Sequence, residues 1–420
     1  MSALVSITAA LAQATTASPA PAPAPAPVAA STEGPKVGTT TYLDVEAGAG
    51  YSSNPLLSLT SNTGRAFGRI VLHAVHARVS ARTTTVISAY ASNDTYTGRY
   101  GSQQALSFDA RHDASVNEHL RLFGDVEASY DEGGQLDTRI VSNPDVPPPP
   151  GNPATPPALL APSSDFLSVT GHYYRLGAHA GGNIALSPQD SLTFSSGVDR
   201  SIFHSRQIGQ NTSFWSIPAS IAYERQLSPR ATVGVRTVFQ NTNYDGPASF
   251  RVITPQVTAQ LQLSETTSFG GAVGASFASI DNGIRTRHTT GLSANASLCN
   301  KGERSQFCAR AAVDQQTATT AGPAKSISAG IDYSRRLDVD STIQFSLDGT
   351  RYSSPTSIVP GATFSSSNYY RAAASYTRSF GHRLFGGVDL SARKLTQKGP
   401  DPRADLSASL FVRYRFGDVR

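Results

Sequence analysis

The fold class is decided by a segment near the carboxyl end of the chain, Ala404-Asp405-Leu406-Ser407-Ala408-Ser409-Leu410-Phe411-Val412-Arg413-Tyr414-Arg415-Phe416. Its even-numbered positions are apolar or aromatic and its odd-numbered positions are polar, with Phe411 as the exception. A helix would repeat its apolar residues every three or four positions, whereas a strand repeats them every second position. Alternation that ends on an aromatic residue is typical of the last strand of an outer-membrane barrel, although four residues, 417–420, follow the aromatic residue here.

The same alternation recurs upstream, and it predicts an all-β protein, a transmembrane antiparallel β-barrel of about 18 strands. Sixteen strands are the alternative, because the segments 67–80 and 167–180 show no clean apolar face. An even number of strands leaves both termini on the periplasmic side. The alternating segments upstream are 120–130, 215–224, 253–263 and 342–348.

Short polar turns divide the chain at regular intervals. Longer segments rich in Gly, Asn and Ser, such as 241–249, 351–367 and 394–403, lie between them. One short turn and one long loop per pair of strands is the periplasmic and extracellular asymmetry of outer-membrane barrels. The short turns are 187–190, 227–230, 264–266, 301–303, 336–338 and 380–382.

The composition is unusual for a cytosolic globular protein. Only 15% of the 420 residues are charged and only 39% are hydrophobic, whereas soluble domains are roughly 25% charged. The formal net charge is +5 and the basic residues are scattered, so the sequence predicts no nucleic-acid partner. There is no apolar run of about 18 residues, so insertion into a membrane would have to use strands, with outer-membrane lipid as the partner.

The chain divides into three parts. Residues 1–14 have the apolar core and small-residue cleavage site of a signal peptide but no basic start, which indicates a true start codon upstream; an Ala-rich tail is the alternative. Residues 15–39, rich in Pro and Ala, predict an extended periplasmic linker. Residues 40–420 are the predicted barrel, placed in the outer membrane of a Gram-negative bacterium. Its long Pro-rich loop, 131–164, is either a lid over the lumen or a surface loop.

Two cysteines, Cys299 and Cys308, flank a short polar turn. A close pair across the end of a hairpin in an exported protein predicts an intramolecular disulfide, with free thiols as the alternative. No His or third Cys lies beside them, so the sequence predicts no metal site there.

We expect the polar face of each strand to line the lumen, where charges of both signs favour neither anions nor cations. The sequence contains no catalytic, cofactor-binding or metal-binding motif, so it predicts no enzyme and no cofactor; a barrel that cuts lipids with a Ser and His pair at its rim is the alternative. Tyr173 and Tyr174 predict either an interfacial girdle or a ledge that stacks on sugars. The lumen-facing candidates are Arg121, Asp125, Glu127, Glu224, Arg236, Asp348, Arg371, Asp389, Arg413 and Arg415.

The segment Gly50-Tyr51-Ser52-Ser53-Asn54-Pro55 resembles a Gly-Tyr-(Asp/Ser)-Ser-Asn-Pro stretch found early in the β-barrel porin-2 family. It is also similar to outer-membrane barrels encoded with exopolysaccharide loci of the sphingan or gellan type. The resemblance implies passage or organisation of a polysaccharide at the outer membrane, beside a polysaccharide-export lipoprotein and a periplasmic chain-length protein. A general diffusion porin for small solutes and a loop-based adhesin or structural protein are the alternatives.

Overall fold

A computed structural model of the chain describes residues 38–55, 57, 63–98, 101–132, 171–205, 213–318, 322–353, 366–397 and 404–418. These residues form 18 antiparallel strands in one closed sheet, which confirms the fold class predicted from the alternation. The strands have 12 to 16 residues, more than the roughly 9–11 that a tilted strand needs to cross a bilayer core. The strands are β1 (Gly38–Ser52), β2 (Arg65–Val79), β3 (Thr83–Tyr96), β4 (Ser102–Ser115), β5 (Leu120–Glu132), β6 (Gly171–Ala185), β7 (Asp190–Ser205), β8 (Phe214–Ser228), β9 (Ala231–Tyr244), β10 (Ser249–Gln262), β11 (Thr267–Asp281), β12 (Thr286–Lys301), β13 (Ser305–Ala318), β14 (Gly322–Arg336), β15 (Ser341–Tyr352), β16 (Ser367–Ser379), β17 (Leu384–Gln397) and β18 (Asp405–Gly417).

The first and last strands close the barrel. Each strand pairs with the next along the chain, and β1 also pairs with β18, from Tyr42 opposite Gly417 to Ser52 opposite Ser407. Asp418 extends this seam, because its backbone N–H donates to the carbonyl of Thr41 and its carboxylate accepts the backbone N–H of Thr41 at 2.6 Å. Gly417 and Asp418, which follow the last aromatic side chain, therefore take part in closing the barrel.

The two faces of the barrel wall differ in chemistry. On β18, Leu406, Leu410 and Val412 are exposed on the exterior, whereas Asp405 and Ser409 are buried on the inward face. The same alternation around the wall leaves an exterior belt of exposed Leu, Ile, Val and Phe side chains. An apolar belt of this extent is unfavourable in water and favourable in lipid, so the barrel spans a membrane.

Phe411, the exception in the alternation, also points inward. It lies opposite Gly387 of β17, where an added Cβ would come within 2.8 Å of Phe411 Cε1. The glycine leaves the space that the aromatic ring fills, so the polar face of β18 accommodates one large apolar side chain.

The two ends of the barrel differ in the length of their connections. The end where β1 begins and β18 ends carries only short turns, from two residues at 229–230 to four at 263–266. All six predicted turns lie at this short-turn end, and the 133–170 connection lies at the opposite, long-loop end. In outer-membrane barrels the short turns face the periplasm, which places both ends of the strand array on that side.

One predicted long loop, 241–249, is wrong. Strand β9 continues to Tyr244 and β10 begins at Ser249, so four residues connect them. Gly246 adopts a φ of 149°, and the Tyr244 N–H donates to the carbonyl of Ala248 at 3.1 Å. The glycine therefore permits a tight turn where the polar composition indicated a loop.

The segments without a clean apolar face are strands nonetheless, so the alternative of sixteen strands is wrong. Residues 67–79 belong to β2 and residues 171–180 to β6. In β2 the inward side chains include Phe67, Val71 and Val75, all buried. Apolar residues on both faces of the strand hide the alternation.

Several expectations fall outside the described residues. These are the signal peptide, the linker before residue 38 and the 131–164 loop beyond Glu132. Residues 38 and 39, expected in the linker, belong to β1. Within the described ranges, no helix is long and apolar enough to cross a membrane.

Candidate functional site

The first long-loop connection is tied to the inside of the barrel seam. Ser52 Oγ donates to Asp405 Oδ1 at 2.6 Å, and the Asn54 backbone N–H donates to the same oxygen at 2.9 Å. Arg393 donates to Asp405 Oδ2 at 2.7 Å and to the carbonyl of Pro55 at 3.0 Å. Asp405 is only 1% exposed, so these partners compensate a buried charge. We call these five residues the seam clamp.

The segment that carries the family resemblance overlaps the seam clamp. Gly50 gives the Phe67 ring room, because a Cβ on Gly50 would lie 2.7 Å from Phe67 Cζ. Tyr51 is exposed on the exterior. Ser53 pairs with Leu406, donating its backbone N–H at 2.9 Å and accepting the Leu406 N–H on its hydroxyl at 2.7 Å. The described contacts of this segment thus serve barrel closure.

Leu57 continues the same connection over the inward wall. Its side chain is buried in a cluster with Tyr369 of β16 and Leu395 of β17. Its φ is 47°, in the left-handed region that costs a non-glycine residue about 1–2 kcal/mol. The buried contact and a hydrogen bond from the Leu57 N–H to the carbonyl of Asn54 at 3.0 Å hold this backbone in place.

The ten lumen-facing candidates lie on the inward face but do not converge on one site. They are spread over seven strands, β5, β8, β9 and β15 to β18. Each has neighbours of its own, so the candidate site extends over the lumen wall as a whole. The ten are Arg121, Asp125, Glu127, Glu224, Arg236, Asp348, Arg371, Asp389, Arg413 and Arg415.

Two candidates on β5 belong to a dense group of charges. Asp125 accepts a hydrogen bond from His179 Nδ1 at 2.8 Å, and His179 Nε2 lies 3.3 Å from Asp199. Arg175 lies 2.8 Å from Glu127. The histidine bridges two carboxylates and the arginine pairs with a third, so the acidic groups on this part of the wall have basic partners.

A chain of polar contacts crosses β9 to β13. Arg236 donates to Gln256 Oε1 at 2.6 Å, and Gln256 Nε2 donates to Ser293 Oγ at 2.9 Å. Ser293 Oγ donates in turn to Asp314 at 3.4 Å, and Glu224 of β8 interacts electrostatically with Arg236. Neutral amide and hydroxyl groups therefore separate the charges on this side of the wall.

The candidates on β15 to β17 also lie beside groups of opposite charge or beside hydroxyl groups. Asp348 and Arg371 lie opposite each other in the register of β15 and β16. Asp389 accepts a hydrogen bond from Ser375 Oγ at 2.7 Å. Carboxylate, guanidinium and hydroxyl groups alternate along this wall.

The two arginines of β18 lie beside the seam. Arg415 donates to both carboxylate oxygens of Asp44, at 2.7 and 2.9 Å, and lies 4.1 Å above the Tyr42 ring. Arg413 lies 5.0 Å above the Phe385 ring. Aromatic faces and a buried carboxylate thus stabilise the two positive charges of this strand.

The reasoning from sequence missed several inward-facing ion pairs. Asp113 lies 3.0 Å from Arg111 and 3.2 Å from the predicted Arg121. Arg69 of β2 forms a bidentate pair with Asp94 of β3. The spacing of Arg111 and Asp113 by two positions was a usable signal, but β2 has apolar residues on both faces, so its parity could not be assigned from the sequence.

A second missed feature is a set of inward-pointing aromatic residues, which we call the aromatic layer. Each lies within three residues of the long-loop end of its strand, and each is more than nine-tenths buried. Rings on neighbouring strands pack in pairs, with centroid distances of 5.4 to 6.4 Å. Such pairs stabilise the long-loop end of the barrel beyond the burial of their apolar area. The layer comprises Phe67, Tyr96, Tyr173, Phe203, Phe214, Tyr244, Phe250, Tyr352 and Tyr369.

The two adjacent tyrosines of β6 point to opposite sides of the wall. Tyr174 is exterior and 41% exposed, with its ring 4.9 Å from that of Tyr130, as in an interfacial girdle. Tyr173 is 9% exposed and its hydroxyl lies 3.1 Å from Ser201 Oγ. Because both of its faces are covered, Tyr173 does not form a ledge on which sugars could stack.

The inward face encloses a cavity of about 830 Å³, lined mainly by β1 to β3 and β14 to β18. Charged, hydroxyl and aromatic groups share its lining, which suits water and polar solutes. No group of three or more His, Cys, Asp or Glu side chains in the described part of the chain is placed to hold a metal ion.

The cysteines form a disulfide at the short-turn end, which confirms that prediction. Cys299 of β12 and Cys308 of β13 are register partners, and their Cα atoms are 4.1 Å apart. Their side chains share the inward face with Arg310, which lies opposite Ser297. The bond closes a hairpin that the ladder already holds.

No family model matches this chain, and no curated protein matches it. Among solved structures, the chain is similar to the FrpB iron transporter from Neisseria meningitidis, with 8% sequence identity and a TM-score of 0.47, over 89% of this chain and 82% of that one. OccK2 (OpdF) of Pseudomonas aeruginosa shares 9% identity at a TM-score of 0.44, over 91% and 98% of the two chains. OpdQ of the same organism shares 8% at 0.40, over 90% and 98%. Similarity at this level assigns neither a cargo nor a partner.

Proposed function

We propose that the chain is a channel-forming barrel of a Gram-negative outer membrane and that it passes neutral polar solutes. The observation that carries the proposal is the pairing of opposite charges on the inward wall. Arg310 pairs with Asp332, and Arg415 pairs with Asp44. Ion selectivity needs a ladder of one sign, and a wall on which both signs occur side by side does not provide one.

The size of the barrel supports a conducting role. The interior of a barrel of about 16–18 strands is too wide for side chains alone to fill. The cavity beside the seam, lined by charged, hydroxyl and aromatic groups, offers space for solute among the described residues. A closed barrel with short turns on one side and a lipid-facing belt is the architecture by which strands cross the outer membrane.

Passage or organisation of an exopolysaccharide is the second candidate function. Its support is the resemblance of Gly50–Pro55 to barrels of exopolysaccharide loci, which would add a polysaccharide-export lipoprotein and a periplasmic chain-length protein as partners. The contacts of Ser52 and Asn54 give that segment a structural reason to recur in barrels of different cargo. The buried rings of the aromatic layer offer no stacking faces to a sugar chain. We therefore favour the solute channel.

Conductance of the purified barrel in planar lipid bilayers tests the channel proposal. We expect discrete conductance steps with a reversal potential near zero in a KCl gradient, and swelling of barrel-containing liposomes in small neutral sugars. Liposomes that contain heat-unfolded protein are the control. A folded barrel that neither conducts nor swells liposomes would overturn the proposal.

Deletion of the gene separates the two candidate functions. The solute channel predicts slower uptake of small sugars with normal secreted polymer. The exopolysaccharide function predicts reduced or shortened polymer with unchanged uptake. Normal polymer and normal uptake would instead favour the loop-based adhesin or structural protein.

A further inference from the structure

The exterior of the barrel carries a cluster of basic side chains at its long-loop end. Lys325 of β14, Arg351 of β15 and Lys394 of β17 each lie within four residues of that end of their strands, and all three are exposed. We call these three residues the basic rim patch. They point outward, because the residue beside each of them in sequence is buried on the inward face, namely Ala324, Tyr352 and Leu395.

The sheet register brings the three residues together. Arg351 lies opposite Ile327, two positions from Lys325 and on the same face. Tyr370 of β16 lies opposite Lys394 of β17, and its exposed side chain lies between β15 and β17. Neighbouring strands are about 4.8 Å apart, and the register row of Lys394 passes through Ala329, four positions from Lys325, so the patch extends roughly 20 Å diagonally from β14 to β17.

Among the described residues, the basic rim patch has no acidic counterpart. Within the described ranges, none of its three residues forms an ion pair, and the adjoining segments 319–321 and 353–366 contain no charged residue. The segment 398–403 contains one acid, Asp401, against Lys398 and Arg403. The patch thus lies in a region of the rim that is basic overall.

Two other exterior arginines on this rim, Arg200 and Arg251, have acidic residues on the same face. Arg200, which is also exterior, donates to both carboxylate oxygens of Asp245 at 2.7 Å. Arg251 lies opposite Ser279, two positions from Asp281 on the same face. Those arginines have acids on the same exterior face, whereas the basic rim patch has none among the described residues and only Asp401 in its adjoining segments, so this patch is arranged to attract an anion from outside the chain.

The surface between the patch and the middle of the belt fits a lipid chain. Below Lys394 the exterior carries the small residues Ala372 and Ala392, with the exposed side chains of Leu347 and Leu390 beside them. Below Arg351, the Tyr370 ring lies against Gly349. Small residues let an acyl chain approach the wall closely, while the larger neighbours add apolar contact. The patch therefore combines positive charge at the level of the lipid head groups with an apolar surface below it.

We propose that the basic rim patch binds the phosphate groups of the phosphorylated glycolipid in the outer leaflet, whose acyl chains lie along the surface below. The proposal rests on the outer-membrane location proposed above, because the long-loop end then meets that leaflet. Basic side chains at a head-group interface each contribute about a fivefold effect, which gives roughly 100-fold for three.

Binding of purified diphosphorylated glycolipid to the detergent-solubilised barrel tests the proposal. The test variant replaces the patch (Lys325→Gln, Arg351→Gln, Lys394→Gln). The matched control replaces three exterior arginines at the short-turn end (Arg78→Gln, Arg335→Gln, Arg378→Gln). We expect the test variant to bind about 100-fold more weakly and the control to bind as the native chain does. A variant with Lys325→Arg and Lys394→Arg should retain binding.

Two further ligands identify what is recognised. We expect the dephosphorylated glycolipid to bind about as weakly to the native chain as the intact glycolipid binds to the test variant, and inorganic phosphate not to compete. Competition by inorganic phosphate at millimolar concentration would indicate a free-anion site instead and would overturn the assignment to lipid.

Other outcomes would also overturn the proposal. These are unchanged glycolipid binding by the test variant, an equal loss in the control, or absence of binding by the native barrel. Gel migration with and without heating shows that each variant is folded, and bilayer conductance reports the channel function separately. A native barrel that conducts while the patch substitutions leave lipid binding intact would refute only the lipid proposal.

Discussion

Arg393 and Asp405 form an ion pair inside the barrel seam, with 2.7 Å between Nη2 and Oδ2 and side chains that are 8% and 1% exposed. The pair joins β17 to the first residue of β18, and Asp405 also accepts hydrogen bonds from Ser52, the last residue of β1, and from the Asn54 backbone N–H. Loss of either charge would leave the other buried without compensation, which is the expensive way to break a buried pair.

Replacing the acid of this pair should destabilise the barrel strongly. We expect Asp405→Asn to lower the free energy of unfolding by about 3–5 kcal/mol, because Arg393 stays buried without its counter-charge. Urea titration of the folded band on unheated gels measures the change. Asp340→Asn, in an exposed turn, is the control and should change stability by less than about 0.5 kcal/mol. Equal stability of the two variants would show that the seam clamp contributes little.

Releasing the first connection should change conductance. Leu57→Asn introduces a residue that tolerates the positive φ at this position, and it removes the apolar contact with Tyr369 and Leu395. We expect a larger or noisier single-channel conductance with the heat-shifted gel band preserved. Leu57→Met, which keeps the apolar contact, should behave as the native chain does. Identical traces for all three proteins would show that this connection does not narrow the pathway.

The disulfide should stabilise the barrel modestly and leave conductance unchanged. The loop that it closes is short, so we expect Cys299→Ser with Cys308→Ser to cost about 2–3 kcal/mol of unfolding free energy. Thiol labelling of the denatured, unreduced native chain should be negative, and labelling after reduction should give two thiols. Two labelled thiols before reduction would contradict the bond.

Removing inward arginines should make the channel prefer cations. Arg310 pairs with Asp332, and Arg371 lies opposite Asp348, so Arg310→Gln with Arg371→Gln leaves two carboxylates without their partners. We expect the reversal potential in a KCl gradient to move toward that of K⁺. The exterior Arg378→Gln is the control. A reversal potential that stays near zero in the double variant would mean that solute does not pass this wall.

The Arg200–Asp245 pair should show its effect at low pH. Hydrogen bonds from Arg200 lower the pKa of Asp245, an acid in a connection outside the strands. The pair therefore contributes stability above the ordinary Asp pKa of about 3.9, and loses it as the pH falls through the lower folded value. We expect Arg200→Gln to return the pKa of Asp245 toward its ordinary range in a carboxyl NMR titration.

Asp338 is the internal reference for that titration. The Ser341 hydroxyl and the Asp340 N–H lower its pKa in a turn at the opposite end of the barrel. Arg200→Gln should leave it unchanged. A parallel shift of both acids would indicate a global change in structure rather than the loss of one ion pair.

The alternation of side chains made the barrel predictable because lipid and lumen impose opposite requirements on successive residues. Where both faces of a strand carry apolar groups, as with Phe67 and Val71 in β2, that signal disappears although the strand remains. Alternation within one strand shows which face a side chain occupies. Only the register of neighbouring strands shows which side chains lie next to each other. For this reason the inward position of Asp405 followed from the sequence, whereas its bond to Ser52 did not.

The aromatic layer shows a different limit of the sequence. An isolated inward ring such as Phe214 or Tyr244 looks like an error in the polar face of one strand. Only the closed sheet reveals that rings from neighbouring strands lie at the same height and pack together. Features formed by residues at the same level of the barrel wall, including the basic rim patch, likewise combine residues that are distant in the sequence.

The seam clamp also dictates an order of events in biogenesis. Ser52 and Asp405 are 353 positions apart, so the clamp forms only after the last strand has been synthesised and delivered. Until then β1 presents an unpaired edge, which invites aggregation and needs protection by other proteins. Contacts this distant in sequence slow folding, so chains truncated before β18 should accumulate as unclosed sheets, the form that quality-control proteases would meet first.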